Sequence, residues 1–266
     1  MRVTTRNASF QQWQALLTNR TKRSRAGEFL VQGVRPLTLA AAHGWEINTL
    51  IYPDRRALSE WARSMLADTG ATGVAMAPEL MAELAGKDSA ELIGVVGVPP
   101  LELSDVAADP HLLAVVFDRP ATPGNVGTVI RSADAFGASA VIITGHAADP
   151  YDPQAVRAST GSLFALPVIR VDSTREVLEW VGSLRDGGLP VQLVATDEHG
   201  PVQVADYDLT GPRVLLIGNE TTGLSAGWRE AADQTVRIPI TGAASSLNAA
   251  AAAAVILYEA IRQRTS

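Results

Sequence analysis

The feature that most constrains this chain is the rhythm of its second half. Six short apolar runs rich in β-branched residues lie at Leu112 to Phe117, Ala140 to Thr144, Pro167 to Val171, Val191 to Ala195, Val214 to Ile217 and Val236 to Ile238. Helical patterns separate them at 126–137, 153–160, 174–185, 225–232 and 245–264. The runs show little in–out alternation, so each strand is apolar on both faces. Strands of that kind spaced by helices predict a parallel sheet covered on both sides. In such a sheet the ligand site lies outside the carboxyl ends of the strands. Alternation is present earlier too: strands over Glu28 to Val31, Ile47 to Tyr52, Val74 to Met76 and Leu92 to Val98 are interleaved with helices at Pro36 to Ala42, Ala57 to Ala67 and from Pro78. A small α/β domain over 28–98 is expected, then an acidic, proline-bounded linker over 99–110, then a second domain over 111–266.

Charge sets residues 1–27 apart. Residues 1–30 hold six basic side chains against Glu28 alone, while the rest of the chain carries a surplus of eleven acidic groups. A basic arm on an acidic body is the footprint of a polyanion-binding extension, and a solvated, frayed terminus would look the same. Arg20, Lys22, Arg23 and Arg25 are the candidate phosphate contacts. The chain has no cysteine, which removes disulfides, thiolate metal sites and cysteine nucleophiles. Its four histidines are scattered, so no metal site is expected. With no apolar run of membrane-spanning length and no signal-like start, a cytoplasmic location is expected.

Three segments share a strand–polar loop–helix form. The first, Asp118 to Arg131, contains Pro123-Gly124-Asn125-Val126-Gly127. Its Gly-x-x-Gly spacing departs from the dinucleotide fingerprint, and the strand at 140–144 ends without the acidic residue that would hold a ribose. Asn125 and Arg131 could face one site, or could be a helix cap and a surface residue. The second, Leu215 to Ser225, puts Glu220 at a strand's carboxyl end beside Gly218, with Ser225 suited to cap the next helix. The third is the tail from Ile238. Ser245 or Ser246 can cap its helix, with Asn248 in the first turn, and Leu247, Ala251, Ala254, Tyr258 and Ile261 share one face.

Taken together and in this order, the segments resemble the three motifs of the SpoU (TrmH-type) RNA 2′-O-methyltransferases of the SPOUT superfamily, over Leu112 to Arg262. Residues 28–100 resemble that family's L30e-like RNA-binding domain, most tellingly at Phe29-Leu30-Val31-Gln32-Gly33-Val34-Arg35-Pro36. The resemblance implies an α/β SPOUT domain with a deep trefoil knot, an exception to the rule that chains do not thread loops. It implies S-adenosylmethionine without a metal, a homodimer joined through the last helix and the first motif's helix, and RNA as partner. By position, Asn125, Arg131, Glu220, Ser246 and Asn248 would be catalytic. Thr196, Gly218, Asn219, Ile238, Ile240 and Leu247 would hold the cofactor, and Arg35 would join the RNA contacts. Where many relatives have Val-Ser, this chain has Ala249-Ala250. The motif-one arginine is often described as a base, but a guanidinium is always protonated. Arg131 is therefore read as a phosphate clamp that stabilises charge on the 2′-oxygen. A uridine of 23S rRNA, with resistance to a ribosome-targeting antibiotic, is the expected target. A tRNA or other-site enzyme of the same family, or a non-catalytic RNA-binding module, are the alternatives.

Overall fold

The computed structural model describes residues 1–86 and 90–265 and divides into two units, residues 1–100 with 151–165 and residues 101–150 with 166–266. The first unit opens with β1 (Arg2–Val3), α1 (Ala8–Thr18) and α2 (Arg20–Ala26). It continues with β2 (Glu28–Gln32), α3 (Val34–Ala42), β3 (Ile47–Pro53), α4 (Glu60–Asp68), β4 (Thr72–Met76), α5 (Pro78–Ala85) and β5 (Ile93–Gly97). Its sheet has the order β1-β4-β3-β5-β2, parallel from β1 to β3 and antiparallel where β5 pairs with β3 and β2.

Residues 1–27 are not an arm. The Asn7 side chain caps α1 by accepting from the Phe10 N–H at 3.0 Å. Phe10, Trp13 and Leu16 then recur at three-residue spacing and enter the core beside Val74, Met76 and Leu84. Full burial of a side chain such as Phe10 or Leu16 contributes about 1.5–3 kcal/mol, which a solvated arm would forgo. Asn19 then caps α2 by accepting from the Lys22 N–H at 3.1 Å.

The second unit holds β6 (Leu113–Asp118), α6 (Pro123–Ala135) and β7 (Ala140–Thr144). The chain then returns to the first unit for α7 (Pro153–Ser159). The second unit resumes with β8 (Val168–Val171), α8 (Thr174–Asp186), β9 (Gln192–Thr196), β10 (Val202–Gln203), β11 (Arg213–Ile217), α9 (Ala226–Ala231), β12 (Gln234–Arg237) and α10 (Ala249–Arg264). Its seven strands run in the order β10-β12-β9-β11-β6-β7-β8, all parallel. Every residue of β6, β7 and β11 is buried, as strands covered on both faces must be.

The helix expected at 153–160 forms, but it packs with the first unit rather than with the domain at 111–266. Tyr151 lies 4.8 Å from the Phe29 ring, and Phe164 meets Trp45 edge-on at 5.0 Å. The Trp45 indole N–H donates to the Phe164 carbonyl at 3.2 Å. Gly161, at φ 100°, comes so near Leu39 that a Cβ there would lie 2.6 Å from its Cδ1. Aromatic burial of this kind assigns 151–165 to the first core despite its position in the sequence.

The last helix begins at Ala249, four residues later than its pattern suggests, and Asn248 rather than a serine is its cap. Its far end is pinned by Arg264, which donates to the carbonyls of His111, Leu112, Leu209 and Gly211. Ala249, Ala250, Ala253, Ile256, Leu257 and Ala260 face inward. The alanines let α10 lie close against α6. The face that looked apolar in the sequence carries the exposed residues instead: Leu247 (40%), Ala251 and Tyr258 (56%).

Candidate active site

The loops after β6 and β11 and the loop before α10 meet at the carboxyl end of the parallel sheet. Pro123 starts α6 at a position where its missing N–H costs nothing, and Thr122 precedes it as the cap residue. Asn125 is therefore not the cap, and its amide is free to bond elsewhere. Its Nδ2 donates to Glu220 Oε1 at 2.7 Å, and its Oδ1 accepts from Asn248 Nδ2 at 3.3 Å. Asn248 in turn caps α10, accepting from the N–H groups of Ala250 (2.9 Å) and Ala251 (3.3 Å). Glu220 from the loop after β11, Asn125 from the first turn of α6 and Asn248 from the cap of α10 thus join in a continuous chain, Glu220–Asn125–Asn248.

Glu220 is held from several directions. Its Oε2 accepts from the Ala121 N–H at 2.9 Å, and its Oε1 accepts from the Thr122 hydroxyl at 2.9 Å and the Thr122 N–H at 3.4 Å. Burial pushes this carboxyl up. The hydrogen bonds from Ala121, Asn125, its own backbone and Thr122 outweigh that, so the net direction is down from the ordinary 4.5. Glu220 is ionised at neutral pH.

A second network fixes the loop that carries Glu220. Arg119, at φ 48°, sits in the left-handed region that a bulky residue rarely adopts. Its carbonyl accepts from Asn219 Nδ2 at 2.6 Å, and its guanidinium donates to Asp118 Oδ2 and to the Gly223 carbonyl, each at 3.2 Å. Asp118, 2% exposed, also accepts from the Thr144 hydroxyl and from the Ser225 N–H. Ser225 is the cap residue of α9, but its side chain makes no capping bond. Gly218 leaves no room for a side chain, since a Cβ there would lie 2.5 Å from the backbone of Gly223 and Leu224. The Asn219 side-chain oxygen accepts from the N–H groups of Thr221 and Thr222. Its side chain is thus committed to closing the loop.

Beside this chain of bonds lies a cleft of about 380 Å³, lined by Thr196, Gly218, Asn219, Glu220, Ile238, Ile240, Ser246 and Leu247. All six residues expected to hold the cofactor are among them. Asp197, Glu198, Val236 and Ala252 also line it, and sequence reasoning missed them. Asp197 and Glu198 directly follow Thr196 at the end of β9, and their place at a strand's carboxyl end was the available signal. Ile217, Val236, Ile238, Ile240 and Leu247 form apolar walls suited to a flat ring. The carboxylates of Asp197, Glu198 and Glu220 suit a cationic group. A nucleoside bearing a positive charge fits this set of donors and walls.

Arg131 is not brought to the cleft. It lies six residues beyond Asn125, about 240° round the helix. It is exposed and makes no hydrogen bond or ion pair among the described residues. The RNA candidates divide. Lys22 and Arg25 are exposed, and Arg35 is exposed with its Nε donating to the Thr160 carbonyl at 3.2 Å; Arg20 is half-buried. Arg23 is only 4% exposed, donates to the Leu16 carbonyl at 2.7 Å and pairs with Asp152 at 3.2 Å. It is occupied in closing α1 and α2 against residue 152, so it is not a phosphate contact.

A parallel α/β sheet with a nucleoside-sized cleft walled by the loops after β9 and β11 and the loop before α10, beside a hydrogen-bonded chain of three polar side chains, defines a class of ligand-binding α/β enzyme. Comparison with known proteins identifies the family. The SpoU rRNA methylase family matches residues 112–258, the SpoU L30e-like domain matches residues 7–93, and the chain belongs to this family. The 23S rRNA (uridine(2479)-2′-O)-methyltransferase of Streptomyces viridochromogenes is 57% identical over all of this chain and 93% of its own length. The crystal structure of the SpoU methyltransferase AviRb from Streptomyces viridochromogenes, in complex with the cofactor AdoMet, superposes with a TM-score of 0.95 at 56% identity. That match covers 98% of this chain and 99% of that one. The AdoMet-bound rRNA methyltransferase of Sinorhizobium meliloti is similar at 32% identity with a TM-score of 0.88, over 100% and 99% of the two chains.

Proposed function

We propose that this protein transfers a methyl group from S-adenosylmethionine to a ribose 2′-hydroxyl of 23S rRNA, at a uridine, and that it does so as a cytoplasmic homodimer. The observation that carries this reading is the Glu220–Asn125–Asn248 chain at the rim of a cleft fit for a cationic nucleoside.

S-adenosylmethionine supplies an electrophilic sulfonium methyl, and the 2′-oxygen forms a C–O bond to it as the C–S bond breaks and a proton leaves. The chain's own residues orient this reaction and exclude water. Glu220 has its oxygens occupied by donors and its pKa lowered, so it is a poor proton acceptor. Its role is to hold Asn125. Asn125, fixed at both ends of its amide, retains acceptor capacity on Oδ1 for the target hydroxyl. Ser246 stands in the cleft wall as a further donor or acceptor.

The homodimer reading rests on one exposed face. Thr128, Arg131 and Ala135 of α6, with Ala251, Val255 and Tyr258 of α10, form adjoining exposed stripes, and Tyr258 meets Phe136 edge-on at 6.1 Å. A second copy covering that face would bring Arg131 to the partner subunit, which accounts for its lack of a partner among the described residues. The knot reading rests on the tail: β12 lies beyond β9, yet residues 238–248 return to line the cleft and α10 packs on α6. Protection against a ribosome-binding drug is the cellular consequence this reading carries, checked by drug susceptibility of an expressing strain.

The direct test is incubation with methyl-labelled S-adenosylmethionine and 23S rRNA, followed by mapping of the ribose that resists alkaline cleavage. Label in a single uridine 2′-O-position is expected. Label in a base, or none in RNA, would overturn the reading.

A further inference from the structure

We propose that a cavity in the first unit receives one unstacked nucleotide of the RNA, with its base stacked on Trp61 and its phosphate met by Arg35 and Arg157. The inference rests on the RNA reading above and adds a site to it.

The cavity measures about 600 Å³ and is bounded by Leu30, Pro36, Trp61, Leu92, Arg35 and Arg157 among others. That is within the range of roughly 300–1,000 Å³ typical of pockets for small organic groups. The Trp61 indole is fixed at its edge, where Nε1 donates to the Thr38 hydroxyl at 3.0 Å. The same side chain lines a neighbouring cavity of about 480 Å³ beside Trp45. Protein therefore packs only part of a large ring that is already oriented. An oriented ring beside open space is a stacking platform with little ordering left to lose.

Charge selects the occupant. Arg35 and Arg157 are both exposed, one on α3 and one on α7, and the bond from Arg35 Nε to Thr160 steadies its stem. Guanidinium forks match phosphate oxygens. Among the described residues of the wall the acidic side chain is Glu91, which is engaged by the Ser59 N–H at 2.6 Å and the Ser59 hydroxyl at 2.8 Å. Hydrogen bonds from Ser59 lower its pKa, and Arg56 and Arg63 act on it in the same direction. Two exposed arginines in the wall, with Glu91 held by Ser59 and an aromatic face beside them, fit a base and its phosphate better than an acidic peptide, which has no flat ring to stack. RNA offers such bases in loops and bulges, where they are already unstacked.

Stacking of a base on an aromatic side chain is worth about 1–3 kcal/mol, a change of about 5- to 150-fold in affinity. The experiment uses the full-length protein, a 23S rRNA transcript and filter binding across a salt series, with S-adenosylhomocysteine calorimetry as a control on the other unit. Trp61→Ala is expected to weaken transcript binding by that factor, and Trp61→Phe to keep most of it. Arg157→Ala and Arg35→Ala should each reduce the salt slope by about one. A transcript carrying 4-thiouridine should crosslink to the peptide containing Trp61. Transcript affinity of Trp61→Ala within twofold of wild type, at unchanged melting temperature, overturns the proposal. Crosslinks confined to other peptides overturn it even if Trp61→Ala does not fold. If the wild-type protein binds S-adenosylhomocysteine but no transcript, the RNA reading itself fails, a result distinct from failure of the cavity alone.

Discussion

Glu220→Gln tests the hydrogen-bonded chain most sharply, because it keeps shape and removes only charge and one acceptor. In the native protein Oε1 accepts from Asn125 and twice from Thr122, while Oε2 accepts from the Ala121 N–H. A glutamine can place its carbonyl on one side only. With the carbonyl toward Asn125, its NH₂ meets the Ala121 N–H donor to donor at the 2.9 Å now spanned by a bond. With the carbonyl toward Ala121, Asn125 loses its anchor. A hydrogen bond to a charged group contributes about 1.5–3 kcal/mol, and an unsatisfied donor costs about 1–3 kcal/mol where water is excluded. Partial exposure of Glu220 trims both, which leaves about 1–3 kcal/mol in total. If that energy holds Asn125 in its reactive position, kcat falls about 5- to 150-fold, at 1.36 kcal/mol per tenfold. Single-turnover methyl transfer at saturating S-adenosylmethionine measures it, with S-adenosylhomocysteine affinity as the companion reading. Glu220→Gln with kcat within twofold of wild type would refute the role given to this chain of bonds.

Asn248→Asp separates capping from catalysis. Aspartate caps a helix as well as asparagine but cannot donate to Asn125 Oδ1, so the melting temperature should hold while kcat falls at least tenfold. Asn248→Ala loses both functions and should also lower stability by about 0.5–2 kcal/mol, read by denaturant titration. Arg23→Ala removes a buried bond to the Leu16 carbonyl and the partner of Asp152. It should cost about 2–4 kcal/mol in urea unfolding, whereas alanine at Lys22 or Arg25 should leave stability within about 0.5 kcal/mol. The Glu259 carboxyl is pulled from 4.5 down to about 2 by hydrogen bonding to Arg262, with Gln263 adding to it against a burial effect. Because the folded-state pKa is depressed, this contribution is fully present above about pH 4.5 and is lost as pH falls toward 2. The stability gap between wild type and Glu259→Gln, followed by circular dichroism, should therefore narrow through that window.

Much of the second unit was legible because its signals are local. Runs such as 112–117 and 213–217 are apolar on both faces whatever lies beside them, and Gly218 marks a backbone contact that a side chain would block. Glu220, Asn125 and Asn248 could be singled out since each lies at a loop–helix junction. Their hydrogen bonds, spanning 95 and 123 residues, follow only from how the sheet brings the loops together. The basic residues of the start suggest an arm only while charge outweighs periodicity, because Asn7, Phe10, Trp13 and Leu16 spell a capped, one-faced helix. The place of 151–165 was hidden for another reason. Tyr151 and Phe164 are core residues of whichever sheet they reach, and nothing in their own neighbourhood names Phe29 and Trp45 as partners.

The strained backbone at Arg119 links fold and site. A non-glycine residue at φ 48° is held there at a cost of order 1 kcal/mol, so the surrounding bonds must over-determine it. They come from three directions: its N–H donates to the Thr144 carbonyl, its carbonyl accepts from Asn219, and its guanidinium reaches Asp118 and Gly223. The bonds to Thr144, Asn219 and Gly223 tie the loop after β6 to β7 and to the loop after β11, and the bond to Asp118 anchors it on β6 itself. The strain thus belongs to a latch that sets where residues 218–223 lie, and those residues form one wall of the cleft. Glu220 has its own anchors at Ala121 and Thr122. Loosening the latch should consequently spoil the fit of the nucleoside more than the orientation of Asn125. The two networks divide the work, one shaping the cleft and the other fixing Asn125 between Glu220 and Asn248.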